Sequence, residues 1–212
     1  MKVTKYGRCC FVAEPKEGVR IMTDPGSYST LQSEAKNIDV IIITHEHADH
    51  LHIESLQKVL ANNPGALIIT NTAVGKFLDE ASIVHIIVEE GQSFDFKGVQ
   101  IVGFGNRHAD IYEEYGQVQN TGYMIDNLCY PGDSFHYPNE KVDILALPVA
   151  GPWMKTSDAI IYAKNINPRV AFPVHDAVLA PLAQAYYKVP EHFLSELQIE
   201  FKKLELGIEE EL

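Results

Sequence analysis

The chain has 212 residues, 46% of them hydrophobic and 22% charged, enough for one domain with a real core and unlike a disordered segment. Its formal charge of -12 disfavours a nucleic-acid binder or a protein held to anionic lipid, since both need a basic surface. No apolar stretch reaches the ~20 residues of a membrane-spanning helix, and Met1–Gly7 lacks the apolar core of a secretion signal, so a cytoplasmic protein with no membrane partner is expected.

The elements follow in order. Short strands are expected at Val3–Tyr6, Cys10–Ala13 and Val19–Thr23, separated by turn residues such as Glu14–Gly18. Ile38–Thr44 is a nearly continuous β-branched run, as in a strand buried on both faces. Ile53, Leu56 and Leu60 recur at helical spacing before Pro64-Gly65, and Ala66–Thr70 is another strand. Asn71 or Thr72 caps a helix with Val74, Phe77, Leu78 and Ala81 on its apolar face. Strands follow at Val84–Val88, Ser93–Phe96, Val99–Phe104, Gly122–Ile125 and Leu128–Tyr130, with Asp126-Asn127 as a hairpin turn. Val142–Val149 and Arg169–Val174 are strands around a helix that Thr156 or Ser157 caps. Phe193, Leu197 and Phe201 mark a C-terminal amphipathic helix, and Glu209–Glu211 reads as a solvated tail. This order predicts an α/β fold of two mixed sheets with helices outside, one domain over 1–212. Cys9, Cys10 and Cys129 suit buried thiols rather than disulfides.

The chemistry is concentrated after the Ile38–Thr44 run. Thr44-His45-Glu46-His47-Ala48-Asp49-His50 places four metal-ligand side chains within six residues. Residues two apart in an extended segment point the same way, so His45 and His47 can grip one ion. If the chain then turns, Asp49 and His50 face elsewhere and can hold a second.

This segment resembles the signature of the metallo-β-lactamase fold superfamily. The resemblance requires an earlier Asp, a later lone His, a later Asp and a final His, in that order. Asp24 in Thr23-Asp24-Pro25-Gly26, His108 in Asn106-Arg107-His108-Ala109, Asp133 in Pro131-Gly132-Asp133-Ser134 and His175 in Pro173-Val174-His175-Asp176 supply them. The resemblance implies a four-layer αββα sandwich. It also implies two divalent ions, zinc first, with manganese or iron as alternatives. His45, His47 and His108 would bind one ion, Asp49, His50 and His175 the other, and Asp133 would bridge them. Asp24 would orient ligands from behind. The opening Met1–Phe11 and Leu147–Met154 are similar to a branch of small bacterial and archaeal metal-dependent hydrolases, with ascorbate-6-phosphate lactonase a distant member. One departure stands out: relatives often have His where this chain has Arg8.

The implied reaction is hydrolysis of an ester, lactone, amide or phosphodiester in a small, anionic substrate by a hydroxide bridged between two ions. Asp49 and Asp133 are the catalytic carboxylates, with Asp49 handling the proton. Arg8 is a candidate clamp for an anionic substrate group, and His136 and Trp153 are candidate substrate contacts. The alternative is a metal-binding scaffold or sensor without turnover. A redox relative would carry Glu at the position of His47 and need a flavin partner domain. A nuclease would need an RNA-gripping insertion, and the charge opposes one. A symmetric homo-oligomer is the expected assembly.

Overall fold

The computed structural model describes residues 1–180 and 182–212. Its strands are β1 (Lys2–Gly7), β2 (Cys10–Lys16), β3 (Val19–Thr23), β4 (Val40–Ile42), β5 (Leu67–Thr70), β6 (Ile86–Ile87), β7 (Ser93–Phe96), β8 (Val99–Phe104), β9 (Gly122–Ile125), β10 (Leu128–Tyr130), β11 (Ile144–Pro148), β12 (Val170–Val174), β13 (Glu200–Phe201) and β14 (Glu209–Glu211). The helices are α1 (Ile53–Asn62), α2 (Thr72–Glu80), α3 (Thr156–Ile166) and α4 (Ala185–Glu196). No helix among the described residues is long and apolar enough to cross a membrane.

Two sheets form, in the orders β14-β1-β2-β3-β4-β5-β6 and β13-β12-β11-β10-β9-β8-β7. Each mixes parallel and antiparallel pairs; β4–β5, β5–β6, β11–β12 and β12–β13 are parallel across α1, α2, α3 and α4, while β1–β2 and β9–β10 are antiparallel. Phe11, Ile21, Ile42, Tyr123, Tyr130 and Phe172 belong to one core cluster, which lies between the sheets. Met22, Ile41 and Ile43 turn the other way onto Leu56 and Val59 of α1 and Val74 and Leu78 of α2. Leu145, Leu147 and Met124 pack on Ala159, Tyr162 and Leu194 of α3 and α4. Alternation along each inner strand therefore feeds an inter-sheet core and an outer sheet–helix core, which is the four-layer αββα sandwich.

Several local expectations need correction. The Ile38–Thr44 run is a ladder strand only over Val40–Ile42. The Ile38 N–H donates to the Asn63 side chain and the Thr44 N–H to the Asp24 carboxylate, so both ends leave the sheet. Val84 is 90% exposed, and the expected strand there shrinks to Ile86–Ile87. The start of α3 is held not by Thr156 or Ser157 but by Asp158, which accepts from the Lys155 N–H at 2.7 Å. α4 ends at Glu196, and a left-handed Gln198 turns the chain so that Phe201 enters β13 beside Ala171. Glu209–Glu211 is no free tail. It pairs antiparallel with β1, and Lys2, Arg20 and Lys202 face its carboxylates. Asp126 takes φ 52° in the β9–β10 turn, supplying without glycine the left-handed residue a tight hairpin needs.

α2 offers a direct check, because Leu78 is fully buried while Phe77 beside it is 43% exposed. Leu78→Ala is expected to cost about 2–5 kcal/mol and Phe77→Ala under about 1 kcal/mol in urea unfolding. Equal losses would contradict the facing of this helix.

Candidate metal centre

The centre grows from the ends of β3 and β4. Asp24 follows β3 with φ 34°, a left-handed conformation uncommon outside glycine. Its buried carboxylate accepts from the Thr44 N–H (2.8 Å), the Thr44 hydroxyl (2.7 Å), His50 Nδ1 (2.6 Å) and the Tyr130 hydroxyl (2.5 Å). Gly26 then passes so close to the histidine loop that a Cβ would lie 1.9 Å from the Asp49 carbonyl oxygen. The Ser27 N–H bonds the Ala48 carbonyl, and the His45–His50 loop is thereby clamped against the β3 end.

Two groups of ligand atoms result, each lying within 4.8 Å of one another. One is His45, His47 and His108; the other is Cys9, His50, Asp133 and His175. The first group fits a divalent ion. Thr44 Oγ1 spends its proton on Asp24, so it accepts from His45 Nδ1 at 3.0 Å, and His108 Nδ1 donates to the Ala109 carbonyl at 2.6 Å. Nε2 of both rings is then the lone-pair nitrogen, buried and without a partner. Fixing one ring nitrogen to present the other is how metal-ligating imidazoles are oriented. Asp133 Oδ2 lies 3.5 Å from His108 Nε2 and 4.0 Å from His45 Nε2, in reach as a further ligand.

Electrostatics agree. Burial, reinforced by His50, pushes the His45 imidazole well below its ordinary pKa, and burial with His108 lowers His47. Both are neutral, as ligands must be. Burial alone would raise Asp133, but His50 and His175 outweigh it and hold the carboxyl well below its ordinary value. His50 moves the other way: burial opposes its charge, yet Asp133, Cys9 and Asp24 raise it well above the ordinary imidazole value.

The second group is arranged differently from the expectation. Asp49 does not belong to it. Asp49 Oδ2 accepts from Arg8 Nε and Nη2, both at 2.5 Å, and Arg8 Nη2 also meets His175 Nε2 at 2.8 Å. The same His175 Nε2 also lies 2.8 Å from Asp133 Oδ2, so a guanidinium and a carboxylate converge on one ring nitrogen. Arg8 thus stands against two of the residues that resemblance assigns to a second ion, while Nε2 of the third, His50, is buried without a hydrogen-bond partner.

A model of the beta-lactamase superfamily domain matches residues 2–175. The chain belongs to that superfamily. It is 32% identical over 194 residues to protein Rv0786c of Mycobacterium tuberculosis, covering 88% of this chain and 89% of the relative. A UPF0173 metal-dependent hydrolase of Thermoplasma volcanium is 25% identical over 190 residues, covering 82% and 83%. Among solved structures, the metallo hydrolase Igni18 of Ignicoccus hospitalis shares the fold, with TM-score 0.76, 22% identity and coverage of 100% and 98%.

In this superfamily member the other candidates fall at different depths. Arg8, expected as a substrate clamp, is 5% exposed with Nε and Nη2 already engaged. Trp153, expected on a rim, is 7% exposed and donates its indole N–H to Asp133 Oδ2 at 2.9 Å, so it holds a carboxylate rather than greeting substrate. His136 is exposed, lies over Gly105 and reaches the Arg107 carbonyl at 3.2 Å. Sequence reasoning missed the supports. Asn120 accepts from the Asp133 N–H and donates to the Pro131 carbonyl, fixing the Asp133 turn. Lys5, buried on β1, grips Asp176 at 2.6 Å and the Pro173 carbonyl at 2.7 Å, securing the turn that carries His175. Cys9, a buried thiol as expected, stands beside His50, and burial raises its pKa.

The chain from Asp24 through Thr44 to His45 sets the ligand tautomer. Asp24→Asn should weaken ion binding about 10–100-fold in competition with a chromophoric chelator. Unchanged affinity would show that Asp24 does not orient the ligands.

Proposed function

We propose that the chain is a metal-dependent hydrolase acting on a small anionic ester, lactone, amide or phosphodiester. One observation carries this reading: the imidazoles of His45, His47 and His108 converge, with buried, proton-free Nε2 atoms on His45 and His108 and Asp133 beside them. Such a nitrogen-rich set suits zinc first, with manganese or iron as alternatives. An ion held there would lower the pKa of a water toward neutrality and polarise the substrate oxygen.

The residues of the chain do the rest. His45 and His108 keep their Nδ1 protons on Thr44 and Ala109, so neither ring turns away during turnover. Trp153 donates to Asp133 and limits its rotation. Burial alone would raise Asp49, but His50 and Arg8 outweigh it and hold the carboxyl below the ordinary carboxylate range, so it stands ionised as a proton acceptor beside the reacting centre. Its Oδ2 stays with Arg8, which leaves Oδ1 for the proton.

His108→Ala and Asp133→Ala are expected to lose bound ion and hydrolysis together, tested on model esters, lactones and phosphodiesters with zinc, manganese or iron supplied. Chelation should abolish turnover, and readdition should restore it. Full activity in ion-free protein would refute the reading. A bound ion with no turnover on any of these bond classes would favour the scaffold or sensor alternative.

A further inference from the structure

We propose that the Arg8 guanidinium takes the place of a second metal ion, so that this chain works with one ion per molecule and a fixed organic cation beside it. The inference rests on the reading of His45, His47 and His108 as an ion site, and goes beyond it by assigning the neighbouring position.

The geometry is that of a cation seated among ligands. Arg8 Nε and Nη2 lie 2.5 Å from Asp49 Oδ2, and Nη2 lies 2.8 Å from His175 Nε2. Resemblance assigns Asp49, His50 and His175 to the second ion, and two of these three, Asp49 through Oδ2 and His175 through Nε2, meet the guanidinium. An ion bonded to both Asp49 Oδ2 and His175 Nε2, at the roughly 2.0–2.2 Å of zinc–ligand bonds, would need the space where Arg8 Nη2 now meets those two atoms.

Charge points the same way. Asp24, Asp49 and Asp133 carry the negative charge of the site. One divalent ion and the Arg8 guanidinium together balance those three carboxylates. A second divalent ion would put like charges within a few ångströms of each other in a buried place, where repulsion is weakly screened.

Arg8 is also built into position. It lies in the β1–β2 turn with φ 43°, a conformation that glycine would adopt with less strain. Its carbonyl accepts from the His175 N–H at 3.1 Å, and the turn is tied down by the Ser29 hydroxyl on the Gly7 carbonyl. The guanidinium carbon stands 5.1 Å from the Tyr28 ring centroid. A strained backbone whose side chain meets both Asp49 and His175 marks a residue kept for that side chain. Arg8 is thus a positioning residue: it fixes the orientation of Asp49 through two contacts to Oδ2. Its Nη1 remains a buried donor with no partner in the protein.

Ion content tests this without reference to turnover. Native mass spectrometry and elemental analysis of the full chain, titrated with zinc and separately with manganese, should give one ion per molecule. Arg8→Gly suits the left-handed backbone and empties the position, and Arg8→His restores a ligand side chain; both should take up a second ion. Arg8→Lys, which keeps the charge, should stay at one. Two ions in the unaltered chain would overturn the proposal while leaving the hydrolase reading intact, including a second site formed by Cys9, His50 and Asp133. One ion in the unaltered chain and still one in both Arg8→Gly and Arg8→His would overturn Arg8 as the excluding group. No ion in the unaltered chain would overturn this proposal and the hydrolase reading together.

Discussion

The Asp24 carboxylate is the constraint on which the centre depends. Fully buried, it collects four donors from three parts of the chain: Thr44 twice, His50 once and Tyr130 once. Thr44 leaves the end of β4 in one sheet, and Tyr130 ends β10 in the other, so one side chain ties the two sheets at the edge where the ligands emerge. A buried charge held by four donors, three of them on Oδ2, is rigid, because removing a partner leaves a desolvated acceptor unpaired. The His45 tautomer, the His50 orientation and the path of the histidine loop all follow from it.

Around that anchor the fold places ligands by ending strands early. β4 ends at Ile42 and β12 at Val174, and beyond them the Thr44 N–H turns to the Asp24 carboxylate and the His175 N–H to the Arg8 carbonyl. The departures carry strain, with left-handed backbones at Asp24, His175 and Arg8. Each is held by bonds from a neighbouring segment, such as the Asp24 N–H on the Ile42 carbonyl and the His175 N–H on the Arg8 carbonyl. Strained non-glycine residues gathered at one place fit a functional site whose side chains outweigh the backbone cost.

Much of the fold was legible in the sequence because alternation and helical spacing report burial directly. Ser93–Phe96, Val99–Phe104 and Gly122–Ile125 stand where the pattern puts them. The C-terminal strands were not legible, since Glu209–Glu211 has no apolar side chain and its pairing depends on the exposed edge of β1. The candidate ligands were readable as types at a spacing, and His45, His47 and His108 do converge. The supports were not. Tyr130 lies 106 positions from Asp24, and its side chain carries no sign of which carboxylate it meets. Arg8 stood out as a departure from its relatives, but only its contacts with Asp49 and His175 show that it faces inward and is already engaged.

The central claim is that an ion sits among His45, His47 and His108, with Arg8 in the neighbouring position. Anomalous diffraction at the zinc edge from zinc-loaded crystals tests both halves at once. The account predicts one strong peak within bonding distance of those three imidazoles, with Arg8 still between Asp49 and His175. No peak among the three imidazoles, or a second peak bonded to His50 and His175 with Arg8 displaced, would contradict it.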